Sequence, residues 1–250
     1  MKSLMTILPK NSGRGASGRI TVRHQGGRKK RFLREIDFKR NKKDVWGKVE
    51  EIQYDPNRNS DIALVIYEDG ERRYILAPVG LKEGAKVIAS ELAPLEVGNS
   101  LPLSKIPAGT AIHNIEIKPG KGGQIVRSAG SAAVIQGKED EWVLIKMPSA
   151  EVRRFKPSAW ATIGQVGNAE LRSIRVGTAG RNRRRGIRPS VRGTAMHPNA
   201  HPHGGGEGRS GVGMKHPKTP YGKAAVGKTR KKNKYSSGII VQPRKKGKHS

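Results

Sequence analysis

The sequence predicts an all-β protein, two small barrels in the middle of the chain with long, basic, irregular extensions at the N- and C-terminal ends. Three observations lead to that class. Apolar runs are short and broken by turn signals about every ten residues, the spacing of small sandwiches and barrels. Gly 32 and Pro 15 make up about a fifth of the 250 residues, well above a background of about 12%, which argues against a helical protein. Charge is also segregated: 50 Lys+Arg against 20 Asp+Glu give +30 overall, yet residues 1–34 hold ten cations and no acid, 35–171 hold 19 of each sign, and 172–250 hold 21 cations with Glu207 as the only acid. An ordinary solvated surface would spread its charge evenly. Here a neutral middle lies between two polycations.

The first strand is expected over residues 45–54, where Val45, Val49, Ile52 and Tyr54 alternate with polar residues up to the Asp55-Pro56-Asn57 stop. Ile62–Tyr67 is a continuous apolar run, and Arg73–Leu76 returns after Glu68-Asp69-Gly70. Asp-Gly between two β-rich runs marks a hairpin, because Gly accepts the positive φ of the turn. Residues 84–90 add a strand, and 94–107, with Gly98-Asn99 and three prolines, reads as a connection. Further strands are expected over 111–117, 124–127, 132–136, 142–147, 152–155 and 161–166. The resulting division is a basic extension 1–34, an OB-like domain 35–104, an SH3-like barrel 105–171 and a Gly/Pro-rich basic extension 172–250. Strand counting alone separates OB-like from SH3-like barrels poorly. Trp46, Trp142 and Trp160 lie in or beside these strands and are read as core in preference to base-stacking platforms.

The middle is long enough to fold without disulfides, and with Cys 0 neither a disulfide scaffold nor a thiolate metal site is open to this chain. No apolar run approaches the roughly 20 residues of a membrane-spanning helix, so no membrane partner is expected. The start Met1-Lys2-Ser3-Leu4-Met5 has too short an apolar stretch for a secretory signal. Within 172–250 the only aromatics are Tyr221 and Tyr235, so burial there cannot offset an ordering cost of roughly 1–2 kcal/mol per residue. The extensions are expected to order on a large polyanion, where phosphates neutralise the cations and release counterions. Stability is expected to reside in 35–171 and nucleic-acid affinity in the extensions. The plain alternative is a pair of solubilising tails, and a general DNA-binding protein would share the charge.

Candidate contacts follow from Gly-spaced cations. Arg23, His24, Arg28, Lys29, Lys30 and Arg31 form one cluster; Arg181, Arg183, Arg184, Arg185, Arg188 and Arg192 form a second. A third region contains His201, His203, Gly204, Gly205, Gly206, Glu207, Arg209, Lys215 and His216. Here glycines permit close backbone approach and histidines can stack on or donate to RNA. A metal site and protein-only acid/base catalysis are the competing readings of the same histidines. The intervening Pro202 and the three glycines give no rigid element to hold a catalytic geometry. Gly222–Thr229 fits G-x-x-x-x-G-K-[ST] in every letter, but a triphosphate loop must join a buried strand to a helix, and the flanking residues suit neither. Lys228, Arg230, Lys231 and Lys232 are read instead as contacts to a nucleic-acid backbone.

The segments Gly193-Thr194-Ala195-Met196, His201-Pro202-His203-Gly204-Gly205-Gly206-Glu207-Gly208-Arg209 and Lys215-His216-Pro217-Lys218-Thr219-Pro220-Tyr221-Gly222 resemble the C-terminal part of the bacterial-type ribosomal protein L2 (uL2) family. Tyr54–Arg58, Asp69–Pro78, Lys118–Gln124 and Gly164–Asn168 extend the resemblance over nearly the whole chain from about Gly18. It implies an OB-like domain followed by an SH3-like barrel, with extensions that penetrate large-subunit rRNA near the peptidyl-transferase centre. It further implies roles in subunit association, tRNA binding and peptide-bond formation, with neighbouring ribosomal proteins and, through an intersubunit bridge, the small subunit as partners. The family's noted histidine maps onto His201, in a supportive role with His203 and Glu207 while RNA carries the chemistry. No enzyme activity, no metal ligand and no cofactor beyond rRNA-associated magnesium is implied, and the location is a ribosome, cytoplasmic or organellar. The chain departs from the family pattern in a shorter N-terminal arm and in His197-Pro198-Asn199-Ala200 where Asn-Pro-Val-Asp is usual. The second departure removes a carboxylate beside His201.

Overall fold

The computed structural model describes residues 2–226 and 233–245. The described residues fall into two compact units. One combines residues 2–8, Arg31–Arg175 and Lys234–Lys245; the other combines residues 9–30 with 176–226 and Asn233.

The first unit is all-β. Strands β1 (Met5–Leu8) and β2 (Arg31–Arg34) pair antiparallel, Met5 opposite Arg34 and Leu8 opposite Arg31. The OB-like part follows as β3 (Gly47–Gln53), β4 (Ile62–Tyr67), β5 (Arg72–Leu76) and β6 (Lys86–Val87), in the sheet order β5-β4-β3-β6. The unbroken apolar run of β4 is explained by burial on both faces. Ala63, Val65 and Tyr67 join Val49, Ile75, Ala77, Leu81 and Val87 on one side; Ile62 and Leu64 join Tyr74 on the other. Alternate side chains of a strand point to opposite faces, so each face of β4 needs its own cover. On the second face that cover includes Leu4, Met5 and Ile36, so residues near the N-terminus belong to the folded body. Gly70 adopts φ 82° in the β4–β5 turn, as the Asp-Gly signal demands. Lys42 ion-pairs with both Asp69 and Glu71, and Arg73 with Asp37 and Glu71. Together these pairs fasten the hairpin to the segment before β3.

The SH3-like part contains β7 (Ser100–Pro102), β8 (Ala111–His113), β9 (Ile115–Glu116), β10 (Gly123–Ile125), β11 (Ala133–Lys138), β12 (Val143–Lys146), β13 (Val152–Phe155) and β14 (Trp160–Ile163). A late strand, β15 (Ile240–Gln242), completes the seven-stranded order β15-β13-β12-β11-β8-β14-β7, while β9 and β10 form a separate pair. The core is aliphatic, with Leu101, Leu103, Ile106, Ile112, Ile115, Ile135, Ile145 and Ile163 around Phe155. The strand expected over 111–117 is broken at Asn114, which takes φ 50°. Strand β7, on the N-terminal side of the expected division at 104/105, pairs with β14. Strand β15 lies in the C-terminal extension and pairs with β13, Gln242 opposite Val152 and Ile240 opposite Arg153.

The three tryptophans correct the sequence reading. Trp46, Trp142 and Trp160 are half-buried and absent from the fully buried clusters. Two carry a cation over the ring, Arg154 at 4.9 Å from the Trp142 centroid and Lys43 at 4.5 Å from that of Trp160. Aliphatic side chains already fill the barrel interior, and the indoles sit at its margin.

The second unit has almost no interior. Among its described residues only Gly13, Gly26 and His201 are buried. Its order rests on backbone pairing between the two extensions. Gln25 and Ile187 form an antiparallel bridge, and Gly26, Arg188 and Lys29 donate their N–H groups to Gly186, His24 and Arg184 at 2.9, 3.0 and 3.1 Å. A two-turn helix, α1 (Ala179–Arg185), ends at Gly186 in the left-handed conformation, φ 98°.

Candidate nucleic-acid interface

The pairing of residues 24–29 with 184–188 sets two basic clusters, far apart in sequence, side by side. Arg183, Arg184 and Arg185 occupy the last turn of α1, and Arg181, Arg183, Arg184, Arg185, Arg188 and Arg192 are exposed. Opposite them Arg23, His24, Lys29 and Lys30 are exposed while Arg28 is half-buried, its Nη2 donating to Pro9 O at 2.8 Å. Arg31 begins β2 in the first unit and is half-buried. Glu207 is the only acidic side chain in both extensions, so cations there far outnumber the acids within the extensions. A polyanion can neutralise these cations.

The histidine loop is built from backbone N–H groups that donate to imidazole nitrogens. His203 N–H donates to His201 Nδ1 at 3.0 Å, and Lys218 N–H donates to His203 Nε2 at 2.8 Å. The two rings lie 4.6 Å apart, tilted by 54°. A ring nitrogen that accepts carries no proton, so these bonds leave Nε2 as the N–H of His201 and Nδ1 as the N–H of His203. Desolvation, then the nearby His203 and Arg23, pull the His201 pKa below its ordinary value. Each ring is left with one N–H to offer and no free lone pair with which to act as a base.

Glycine supplies the seat for His201. A Cβ built on Gly193 would stand 2.5 Å from His201 Cε1 and 2.6 Å from Nδ1, so the imidazole lies directly against the bare Cα. The turn closes with Gly204 N–H donating to His201 O at 2.8 Å and Gly205 N–H to Met196 O at 3.1 Å. Gly205 and Gly206 take φ 92° and 90°, which confines both positions to glycine. Glu207, Arg209, Lys215 and His216 are exposed. Among the described residues no three His or acidic side chains converge as a metal-holding group.

The first half of the nucleotide-loop pattern is a turn. Lys218 and Ala224 form an isolated bridge, and Thr219 N–H donates to Lys223 O at 2.7 Å. The described residues before Gly222 therefore offer no buried strand. Lys228, Arg230, Lys231 and Lys232 lie outside the described residues, as does the rest of that pattern.

A net charge over 35–171 hides how cations and acids are placed on the first unit. Asp55, 0% exposed, accepts from Arg58 Nε at 2.6 Å and from Asn57 N–H at 2.9 Å. Glu116, 3% exposed, accepts from the N–H groups of Gly120, Gly122 and Trp160. Arg58 and Arg127 both address the Phe38 ring, at 5.6 and 4.3 Å from its centroid. Burial, then the charge of Arg58, lowers the Arg127 pKa. The only sequence signal for this pair is arginine placed beside turn residues, which is too common to single out.

Two family models match the chain: Ribosomal Proteins L2, RNA binding N-terminal domain, over residues 1–89, and Ribosomal Proteins L2, C-terminal domain, over residues 96–222. The two matches adjoin between the OB-like and SH3-like parts and extend into the histidine loop. The chain therefore belongs to the ribosomal protein L2 family and is a structural, rRNA-binding constituent of the large ribosomal subunit.

Proposed function

We propose that the paired extensions insert into folded large-subunit rRNA near the peptidyl-transferase centre, and that the protein there supports subunit association, tRNA binding and peptide-bond formation without being an enzyme. The observation that carries this reading is the second unit itself, a hydrogen-bonded arrangement of exposed cations with only Gly13, Gly26 and His201 buried among its described residues. Such a segment gains its stability from the polyanion it neutralises, and close phosphate packing there brings rRNA-associated magnesium, with no cofactor held by the protein. Other ribosomal proteins, and the small subunit through an intersubunit bridge, are the further partners, on a cytoplasmic ribosome.

His201 and His203 act in this scheme as positioning residues. A general base needs a free lone pair within reach of the reacting amine. Both rings spend theirs on backbone N–H groups of their own loop, leaving one N–H each as a donor to phosphate or ribose. Competition between a large-subunit rRNA fragment and duplex DNA of equal length tests the proposal: preferential retention of the rRNA supports it, and equal affinity favours a general nucleic-acid-binding protein. Single-turnover peptide transfer on fully assembled ribosomes carrying His201→Gln separates the two histidine roles. A retained rate supports positioning; a large loss that removes one titrating group from the pH profile refutes it.

A further inference from the structure

We propose that a cleft on the first unit, lined by Lys39, Arg40, Lys43, Glu91, Glu116 and Trp160, takes up one unstacked nucleotide of single-stranded RNA, with its base on the Trp160 ring and its phosphate on Lys39 and Lys43. The cleft encloses about 610 Å³, within the range of small-molecule sites, about 300–1,000 Å³. Its lining residues all fall within 35–171 in sequence, and it rests on the RNA-binding reading only for the source of its ligand.

Three features make it a nucleotide site. Trp160 is half-buried at the start of β14, and its backbone N–H is tied to Glu116 Oε2 at 3.1 Å, which fixes the root of the side chain. The Lys43 ammonium, also part of the lining, lies over the Trp160 ring 4.5 Å from its centroid. Stacking of a base on an aromatic ring is stronger than a solvent-exposed cation–π contact. A base can therefore take that place over the ring while the ammonium turns to the phosphate.

The second feature is a buried guanidinium. Arg40 is 3% exposed. Its Nη2 donates to Gly98 O at 3.3 Å, its Nε has no partner, and no described carboxylate pairs with it. A buried cation without a counter-charge is costly, and an anion in the adjoining cleft offsets that cost. The third feature is the disposition of the two acids. The Glu116 carboxylate is occupied by three N–H groups, whereas Glu91 stands exposed at the rim. It can accept from an exocyclic amine, which favours adenine, cytosine or guanine over uracil.

The test uses the full-length protein and short single-stranded oligoadenylate bearing one 2-aminopurine, whose fluorescence is quenched when the base stacks. Total binding is read in parallel by anisotropy, and binding of a large-subunit rRNA fragment by filter retention. The expected result is saturable quenching that weakens roughly 5- to 150-fold in Trp160→Leu, survives in Trp160→Phe, weakens in Lys43→Gln and is poorer for oligouridylate. Lys43 is exposed, so Lys43→Gln stays informative if Trp160→Leu fails to fold. Retained rRNA binding without quenching, or quenching indifferent to Trp160 and Lys43, overturns the cleft and leaves the RNA-binding reading intact. Displacement of the oligonucleotide by inorganic phosphate as readily as by adenosine monophosphate reduces the cleft to an anion site and also overturns the proposal. Loss of rRNA binding by the unaltered protein is the separate failure that would count against the RNA-binding reading itself.

Discussion

Gly193→Ala perturbs the histidine loop at one atom. The added Cβ would stand 2.5–2.7 Å from three atoms of the His201 ring, and an ordinary carbon contact of about 3.5 Å requires the imidazole to retreat by about 1 Å. The His203 N–H to His201 Nδ1 bond is 3.0 Å in the unaltered loop, so a retreat of that size carries it beyond bonding distance. The loss of one such bond costs about 0.5–1.5 kcal/mol. With no apolar core behind it the loop can shift, so a strain term at the low end of the usual range of about 1–3 kcal/mol is expected. The assay is a pH titration of the imidazole resonances with long-range nitrogen–proton correlation to identify the tautomer. In the unaltered protein His201 should carry its neutral proton on Nε2 and titrate below its ordinary value. In Gly193→Ala the pKa should move back up and both tautomers should appear. If His201 in the unaltered protein titrates at or above its ordinary value, or if the substitution leaves tautomer and pKa unchanged, the acceptor role assigned to Nδ1 is wrong.

Two other outcomes follow from buried groups and strand edges. His113 is 1% exposed, its Nδ1 is 2.9 Å from Gly164 O, and burial pushes its pKa down to about 4. The folded state therefore favours neutral imidazole, and the associated stability, on the order of 3 kcal/mol, is present above the unfolded pKa of about 6.5 and lost as pH falls toward about 4. Urea denaturation at several pH values should show that loss, reduced in His113→Gln; equal slopes in the two proteins would contradict it. Truncation after Asn233 removes β15 and opens the edge of β13, with loss of backbone bonds such as Arg154 N–H to Ile239 O at 2.8 Å. A destabilisation of about 1–3 kcal/mol and self-association through the open edge are expected, measured by denaturation midpoint and light scattering.

The parts of the fold legible in the sequence are those fixed by local pattern. Ile62–Tyr67 and Val152–Phe155 coincide with β4 and β13, because a continuous apolar run or a run closed by a turn carries its own boundaries. The break at Asn114 was not legible. Its left-handed backbone belongs to a close approach in which Asn114 Nδ2 and Gly123 N–H both donate to Phe38 O, a contact set by residues distant in sequence. Strand β15 is three residues in a basic tail, and only the open edge of β13 makes it a strand. The basic clusters were legible as composition, but their juxtaposition depends on backbone bonds between residues 24–29 and 184–188. The histidines were visible as candidates, whereas the seat under His201 depends on Gly193, which no periodicity singles out. The tryptophans were misjudged because hydrophobicity says that a ring is partly covered without saying which face stays open.

We expect the rRNA affinity to reside in the paired extensions. The most direct test is the salt dependence of binding to a large-subunit rRNA fragment by the full-length protein with Arg183, Arg184 and Arg188 changed to Gln. A control changes Lys48, Lys82 and Lys86, all exposed on the OB-like part, to Gln. Each phosphate contact contributes about 0.7–0.9 to the slope of log affinity against log salt. The expected result is a slope smaller by about 2–3 and weaker binding for the arginine variant, with denaturation midpoint and the lysine control unchanged. An unaltered slope in the arginine variant, or an equal drop in the lysine control, would contradict it.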